Sequence, residues 1–167
     1  MFNITVARGD ATKNLISVRG IVTVENALLV LGKVLRTERR FELVGGTVEI
    51  GETPRLALRN EVLEETGHHV AEVGSMVYET DFVKKKTRED AWLGVFEVML
   101  RDGDRVRLAD IVLNPEEHDA KKLVSPDLKL PRFGVERHDL DEKSEAAILS
   151  YWSSLHPEVR AAARQRA

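Results

Sequence analysis

Apolar residues along this chain alternate, or run together in short stretches that turn residues interrupt, and that pattern predicts mostly strands. Ile16 to Val24 is β-branched and partly alternating. Glu25-Asn26 then breaks the run before Ala27 to Lys33, so the two stretches read as a hairpin whose first strand can bend at Gly20. Lys33 to Arg40 is polar and carries Lys33, Arg36, Arg39 and Arg40, which predicts a positively charged loop ahead of a short strand, Phe41 to Val44. Helical signals concentrate between Thr53 and Glu65: Thr53 suits the N-cap, Pro54 the first helical position and Gly67 the C-terminal stop. Val77 to Val83 reads as extended, Lys84 to Glu89 as a charged turn, and Ala91 to Leu100 as the most apolar strand, placed near the middle of a mixed sheet. Asp102-Gly103-Asp104 predicts a hairpin into a further strand, Arg105 to Leu113. Lys121 to Val124 follows as a short strand, Ser125 to Leu128 as a turn and Pro131 to Asp139 as a loop. A final helix from about Asp141 carries Ile148, Tyr151, Trp152 and Leu155 at spacings of three and four, a core-facing stripe. Beyond Pro157, Arg160, Arg164 and Arg166 stand among alanines; a short helix, a homodimer contact and a frayed end all fit them.

A chain of 167 residues, 43% apolar and 32% charged, suits one domain over 1–167 with its core at about 16–155. Cysteine is absent, which excludes disulfides, thiolate zinc sites and a cysteine nucleophile. A net charge of −3 without a long basic block leaves no footprint for nucleic acid, so an anionic ligand has to be bound locally. Met1 to Leu15 lacks the apolar run of a signal peptide, and no segment approaches a membrane span, so a cytoplasmic protein without a membrane partner is expected.

The chemistry concentrates in Gly45 to Gly67, GGTVEIGETPRLALRNEVLEETG. On a helix turning about 100° per residue, Glu64 and Glu65 fall about 60° and 40° to either side of Glu61, so three carboxylates crowd one face. Like charges at spacings of three and four repel by a few tenths of a kcal/mol per pair, which invites a compensating cation. Hard divalent ions, Mg²⁺ or Mn²⁺, suit such a face because they take carboxylate, carbonyl, water and phosphate oxygens together. Leu56 and Leu63, one heptad apart on the opposite side, are expected to pack, while small Ala57 leaves Glu61 unscreened. Gly45-Gly46 permits a tight bend and close backbone approach by a ligand, and Gly51-Glu52 turns the chain again just before the helix.

This stretch resembles the Nudix box: Gly, five residues, Glu, seven residues, Arg-Glu, an aliphatic residue, any residue, Glu-Glu, any residue, Gly, and an aliphatic residue. Gly46, Glu52, Glu61, Val62, Glu64, Glu65 and Gly67 stand where that pattern requires them. Phe41-Glu-Leu-Val-Gly-Gly46 is similar to the family's aromatic-x-Leu-Pro-Gly-Gly entry to the box, and Pro115 to Leu128 resembles its downstream Glu-His segment. The resemblance implies an α/β/α sandwich with a central mixed sheet and the hydrolysis of a nucleoside diphosphate linked to another moiety. By position it makes Glu61, Glu64 and Glu65 ligands of Mg²⁺ or Mn²⁺, with the Gly45 carbonyl as a backbone ligand and Glu52 in support. Glu61, Glu64 or Glu117 would accept the proton of the attacking water. Asn60 stands in place of the arginine and His68 in place of the last aliphatic residue. Asn60 can donate a hydrogen bond but brings no positive charge to three carboxylates, and Arg59 points about 100° away. A nucleotide-binding module that does not cleave its ligand is therefore the alternative to an enzyme. The partner implied is a small nucleoside diphosphate derivative, with ADP-ribose, nucleoside triphosphates, dinucleoside polyphosphates and sugar nucleotides all open.

Overall fold

Consecutive apolar positions in the strands have two helices to bury against, one on each face of a single sheet. The computed structural model describes residues 15–35, 38–85, 87–125 and 139–156. The N-terminal segment, the turn after Ser125, the loop from Pro131 and the tail after Pro157 lie outside the described residues. In chain order the elements are β1 (Leu15–Val24), β2 (Ala27–Leu35), β3 (Glu38–Thr47), α1 (Pro54–Thr66), β4 (Val70–Lys84), β5 (Glu89–Leu100), β6 (Ala120–Val124) and α2 (Glu142–Leu155). The six strands run in the order β4-β5-β1-β3-β2-β6. All neighbours are antiparallel except β1 and β5, so the sheet is mixed. Val18, Val22, Leu29, Leu31, Phe96 and Val98 face α1 and surround Leu58 and Val62. Ile21, Leu28, Val30, Leu93 and Val95 face the other way, toward Ala147 and Ile148 of α2. Strands covered on both faces read as continuous apolar runs, as Ala27 to Leu31 does. The result is an α/β/α sandwich.

Local signals set the ends of these elements. Glu25 and Asn26 take φ of 51° and 62°, the two left-handed residues of a tight hairpin turn whose twist matches the flanking strands. The Thr53 hydroxyl accepts the Leu56 amide at 3.2 Å, Pro54 opens α1, and Gly67 closes it at φ 74° with its amide on the Leu63 carbonyl. Asp141 caps α2 by accepting the amides of Lys143 and Ser144 at 3.1 and 3.3 Å.

Four expectations about packing and pairing are overturned. Lys33 to Arg40 is not a loop throughout: β2 and β3 stay paired through Val34 with Arg39 and Leu35 with Glu38, and Arg36 and Thr37 lie outside the described residues. Arg105 to Leu113 is not a strand, because β5 already pairs with β4 on one edge and β1 on the other and has no edge to offer. Instead the segment turns, forms one 3₁₀ turn at Leu108–Asp110, and plugs Val106 and Ile111 into the α1-side core. The β5 strand lies one place in from the sheet edge, and β1 and β3 are the central pair. Finally, Leu56 and Leu63 are 47% and 38% exposed, while Ala57, Leu58, Val62, Glu65 and Thr66 are the buried residues of α1. The helix is rotated so that a carboxylate, Glu65, faces inward.

Candidate active site

The site forms where the last residues of β3 pass under α1. Gly45 has φ of 148°, and a Cβ there would lie 2.1 Å from the Val18 carbonyl oxygen, so only glycine fits this bend against β1. At Gly46 a Cβ would fall 2.0 Å from Glu61 Oε1, which means the Glu61 carboxylate rests directly over bare backbone. One helical turn on, Glu65 is 2% exposed and its Oε2 accepts the Gly45 amide at 2.8 Å. Glu64, between them in sequence, is exposed. The β3 bend and α1 thus present one carboxylate over the glycines, one sunk beside them and one to solvent.

The turn leading into α1 is tied back to the helix. Glu52 Oε1 accepts the Asn60 amide nitrogen at 2.9 Å, and Glu52 Oε2 accepts the Glu49 backbone amide at 3.3 Å. Asn60 therefore meets Glu52 rather than the carboxylates one turn along. Arg59 points away, as its spacing requires, and donates to the carbonyls of Val70 and Ala71 at 3.0 and 3.3 Å.

A downstream turn completes the cluster. The Asn114 carbonyl accepts the amides of Glu117 and His118 at 3.1 and 2.9 Å, and its side-chain oxygen accepts the Glu116 amide at 3.2 Å. Held by this turn, His118 is buried with Nδ1 3.4 Å from Glu65 Oε1 and Nε2 3.5 Å from Glu42 Oε1. Glu42 Oε2 then accepts Arg19 at 2.8 Å, and Arg19 also donates to Asp141 and to the Ser144 hydroxyl, each at 2.7 Å. A chain of polar groups runs from α1 through β3 to the start of α2.

Burial and crowding set the protonation of these groups. Burial pushes Glu61 up to about 7, helped by the charges of Glu64, Glu117, Glu52 and Glu49. Burial likewise pushes Glu65 up to about 8, against the opposing pull of His118 and the Gly45 amide. Glu42 goes the other way: burial opposes its charge, but His118, Arg19 and Lys33 hold it below the usual carboxylate range. His118 is held above its ordinary value because Glu42 and Glu65 outweigh the cost of burying its charge.

Glu64, Glu52 and Glu117 thus lie near enough to Glu61 for their charges to act on it, and Glu65 adjoins Glu61 from the buried side. Donor atoms of Glu65, Glu117 and His118 lie within 4.8 Å of one another, a set to which Glu61 and Glu64 do not belong. Carboxylates that hold protons near neutrality, on a bare glycine backbone, fit a hard divalent cation that would displace those protons. Sequence reasoning missed Glu42, Glu49, Arg19 and Asn114. Glu42 and Arg19 look like alternating strand residues, and only the fold brings them to His118. His68 sits at the end of α1 with Nε2 3.2 Å from the Asp110 carbonyl, outside the carboxylate cluster.

Comparisons with known proteins agree with this architecture. The NUDIX domain matches residues 13–140. The solved E. coli ORF135 protein is 21% identical over 87% of this chain and 93% of its own, with a TM-score of 0.66. A MutT protein from Methanosarcina mazei Go1 is 23% identical over 89% and 99%, also at 0.66. An ADP-ribose pyrophosphatase from Streptococcus suis is 21% identical over 81% and 89%, at 0.55. At these identities the shared property is the fold. Curated protein sequences give no match. No helix among the described residues is long and apolar enough to cross a membrane. With the domain matched over most of the chain and the mixed sheet and two helices in place, this protein belongs to the NUDIX family.

Proposed function

We propose that this protein hydrolyses the diphosphate linkage of a nucleoside diphosphate derivative with the help of Mg²⁺ or Mn²⁺. The observation that carries the reading is Glu61, set over Gly46 and pushed up to about 7 among four other carboxylates. No stability argument favours such crowding, whereas a cation-binding hydrolytic site uses it. Glu61, Glu64 and Glu65, with the Gly45 carbonyl, are the groups that would hold the ion. When bound, the ion supplies positive charge opposite the diphosphate and acidifies water. The chain's own residues do the rest. Gly45 lets β3 bend against β1, Gly46 leaves room for the Glu61 carboxylate, Glu52 and Asn60 brace the entry to α1, and Glu61, Glu64 or Glu117 takes the proton of the attacking water. Membership of the family supports a pyrophosphatase in general, and the likeness to the Streptococcus suis ADP-ribose pyrophosphatase makes ADP-ribose a first substrate to try.

The test is turnover by the purified protein of ADP-ribose, a sugar nucleotide, a dinucleoside polyphosphate and nucleoside triphosphates, with Mg²⁺ and then Mn²⁺. Metal-dependent release of a nucleotide product from any member is expected. Silence across the panel, together with thermal stabilisation by a ligand recovered intact, would favour a nucleotide-binding module instead. The uncharged Asn60 is what favours that second reading.

A further inference from the structure

Resting on the reading of Glu61, Glu64 and Glu65 as cation ligands, we propose that His118 is the positioning residue of this site. Its buried ring fixes Glu65 on one side and Glu42 on the other without itself ligating the cation. The ring is 4% exposed, and neither nitrogen has a hydrogen-bond partner among the described residues. What each nitrogen does face is a carboxylate oxygen, at 3.4 Å for Nδ1 and 3.5 Å for Nε2. A ring nitrogen can donate to the carboxylate oxygen it faces, so the ring bridges the two glutamates. With both nitrogens turned to glutamates, the ring acts on the ion through Glu65.

The surroundings make this arrangement rigid. The His118 amide is bound to the Asn114 carbonyl at 2.9 Å and the next amide, of Asp119, to the Gly32 carbonyl at 3.1 Å, so the backbone is pinned on both sides of the ring. Glu65 is held at Oε2 by the Gly45 amide and faces His118 at Oε1. Glu42 passes the constraint to Arg19, which is anchored by Asp141 and Ser144 at the start of α2. A group that engages the carboxylates of the box thus comes from a sequence-distant turn, and it acts on Glu65 rather than on Glu52. Groups that hold a metal-binding side chain in place typically affect metal affinity 10–100-fold.

The experiment is Mn²⁺ binding to the full chain without substrate, followed by electron paramagnetic resonance, for the wild type, His118→Phe and His118→Gln. Phenylalanine keeps a ring and removes both donors, and about 10–100-fold weaker binding is expected. Glutamine restores one donor, so its affinity should fall between the two. Pulsed spectra of the wild-type Mn²⁺ complex should show no directly coordinated histidine nitrogen. Unchanged or tighter binding by the phenylalanine variant overturns the proposal, because a ring that does not hold Glu65 in place can be lost without weakening the ion. A histidine nitrogen coupling overturns it as well, making His118 a ligand with Glu65 and Glu117. Circular dichroism and metal-free melting establish that each variant folds; if phenylalanine does not, the glutamine variant decides on the same readouts. Failure of the wild type to bind Mn²⁺ sinks the cation site itself and this inference with it, and is told apart by requiring no variant.

Discussion

Two regions of this protein are rich in carboxylates, and they differ in what their charges meet. One is the α1 cluster over Gly45 and Gly46. The other is a cavity of about 680 Å³ lined by parts of β1, β4 and β5 and the turn after β5, whose lining includes Glu25, Glu72, Glu97 and Asp104. In the cavity, Glu25 accepts Arg107 at 3.2 Å and the Leu108 amide at 3.0 Å, and those bonds hold it below its ordinary value. In the cluster, Glu61 and Glu65 are pushed up to about 7 and 8. Acidic density is common to both, so it does not mark a site. Carboxylates kept crowded and buried beside bare backbone are what the proposed cation site rests on, because that arrangement costs stability on its own.

The sharpest way to break the comparison is to change one residue in each region. Gly46→Ala puts a methyl group where the Glu61 carboxylate lies, and metal-dependent turnover should fall about 10²–10³-fold, the scale of losing one preorganised electrostatic contact in an active site. Glu97→Gln in the cavity should change turnover less than about twofold, since side chains remote from the chemistry carry little of it. Equal losses from both would show that the cavity, too, belongs to the reaction.

A second test removes compensation where the cluster side does have it. Arg19→Met leaves Glu42 and Asp141 without their guanidinium while keeping most of the side-chain volume. Breaking a buried pair costs about 3–5 kcal/mol; these groups are only partly buried, so about 2–3 kcal/mol is expected, read by urea unfolding. A loss below about 0.5 kcal/mol would make the chain from His118 to α2 a surface feature.

How much of this was legible in the sequence follows from the range of each signal. The caps of α1, the Glu25-Asn26 turn and the glutamates of the Gly45–Gly67 stretch are local, and they could be read from spacing alone. The sandwich and the family were legible because that stretch is long and its spacing specific. The rotation of α1 was not. Leu56 and Leu63 announce a packing face, but Leu58 and Val62 win it because that rotation also turns Glu65 onto the Gly45 amide. Nor was the end of β5: a Gly-containing turn predicts a hairpin, yet whether an edge is free depends on β1, seventy-odd residues away. Glu42 and His118 share the same limit, since their meeting depends on where the Asn114 turn docks against β2.

A third, smaller effect should separate the regions by pH. A carboxyl whose folded value lies above its ordinary 4.5 binds more protons folded than unfolded, so its favourable contribution is present at low pH and is lost as pH rises through the folded value. The metal-free protein should therefore lose stability between about pH 4.5 and 8. His118, also held high, acts in the same direction, while Glu42 and Glu25, held low, add stability above 4.5 and lose it on acidification. Mn²⁺ has to displace the protons on Glu61 and Glu65, so its affinity should weaken by up to about tenfold per pH unit per proton below 7. Melting and Mn²⁺ titrations at pH 6, 7 and 8 read both slopes. Glu61→Gln should flatten them and Glu25→Gln should not; a Mn²⁺ affinity independent of pH would mean that the ion does not meet these carboxylates.

The smallest expected effect concerns Asn60, where the resemblance to the Nudix box leads one to expect arginine. If three carboxylates lacked a necessary positive charge, Asn60→Arg would raise turnover sharply. The geometry argues for a modest change. Asn60 is exposed and already meets Glu52 at 2.9 Å, so an arginine there would form a solvated pair with Glu52, and such pairs are worth about 0.2–1 kcal/mol. Glu61 and Glu65 would gain little, because Glu61 lies over Gly46 and Glu65 faces His118. Turnover of Asn60→Arg should thus stay within about fivefold of the wild type, by the same 0.2–1 kcal/mol. A rise of about a hundredfold, or some 2.7 kcal/mol, would show that charge at position 60 limits the reaction.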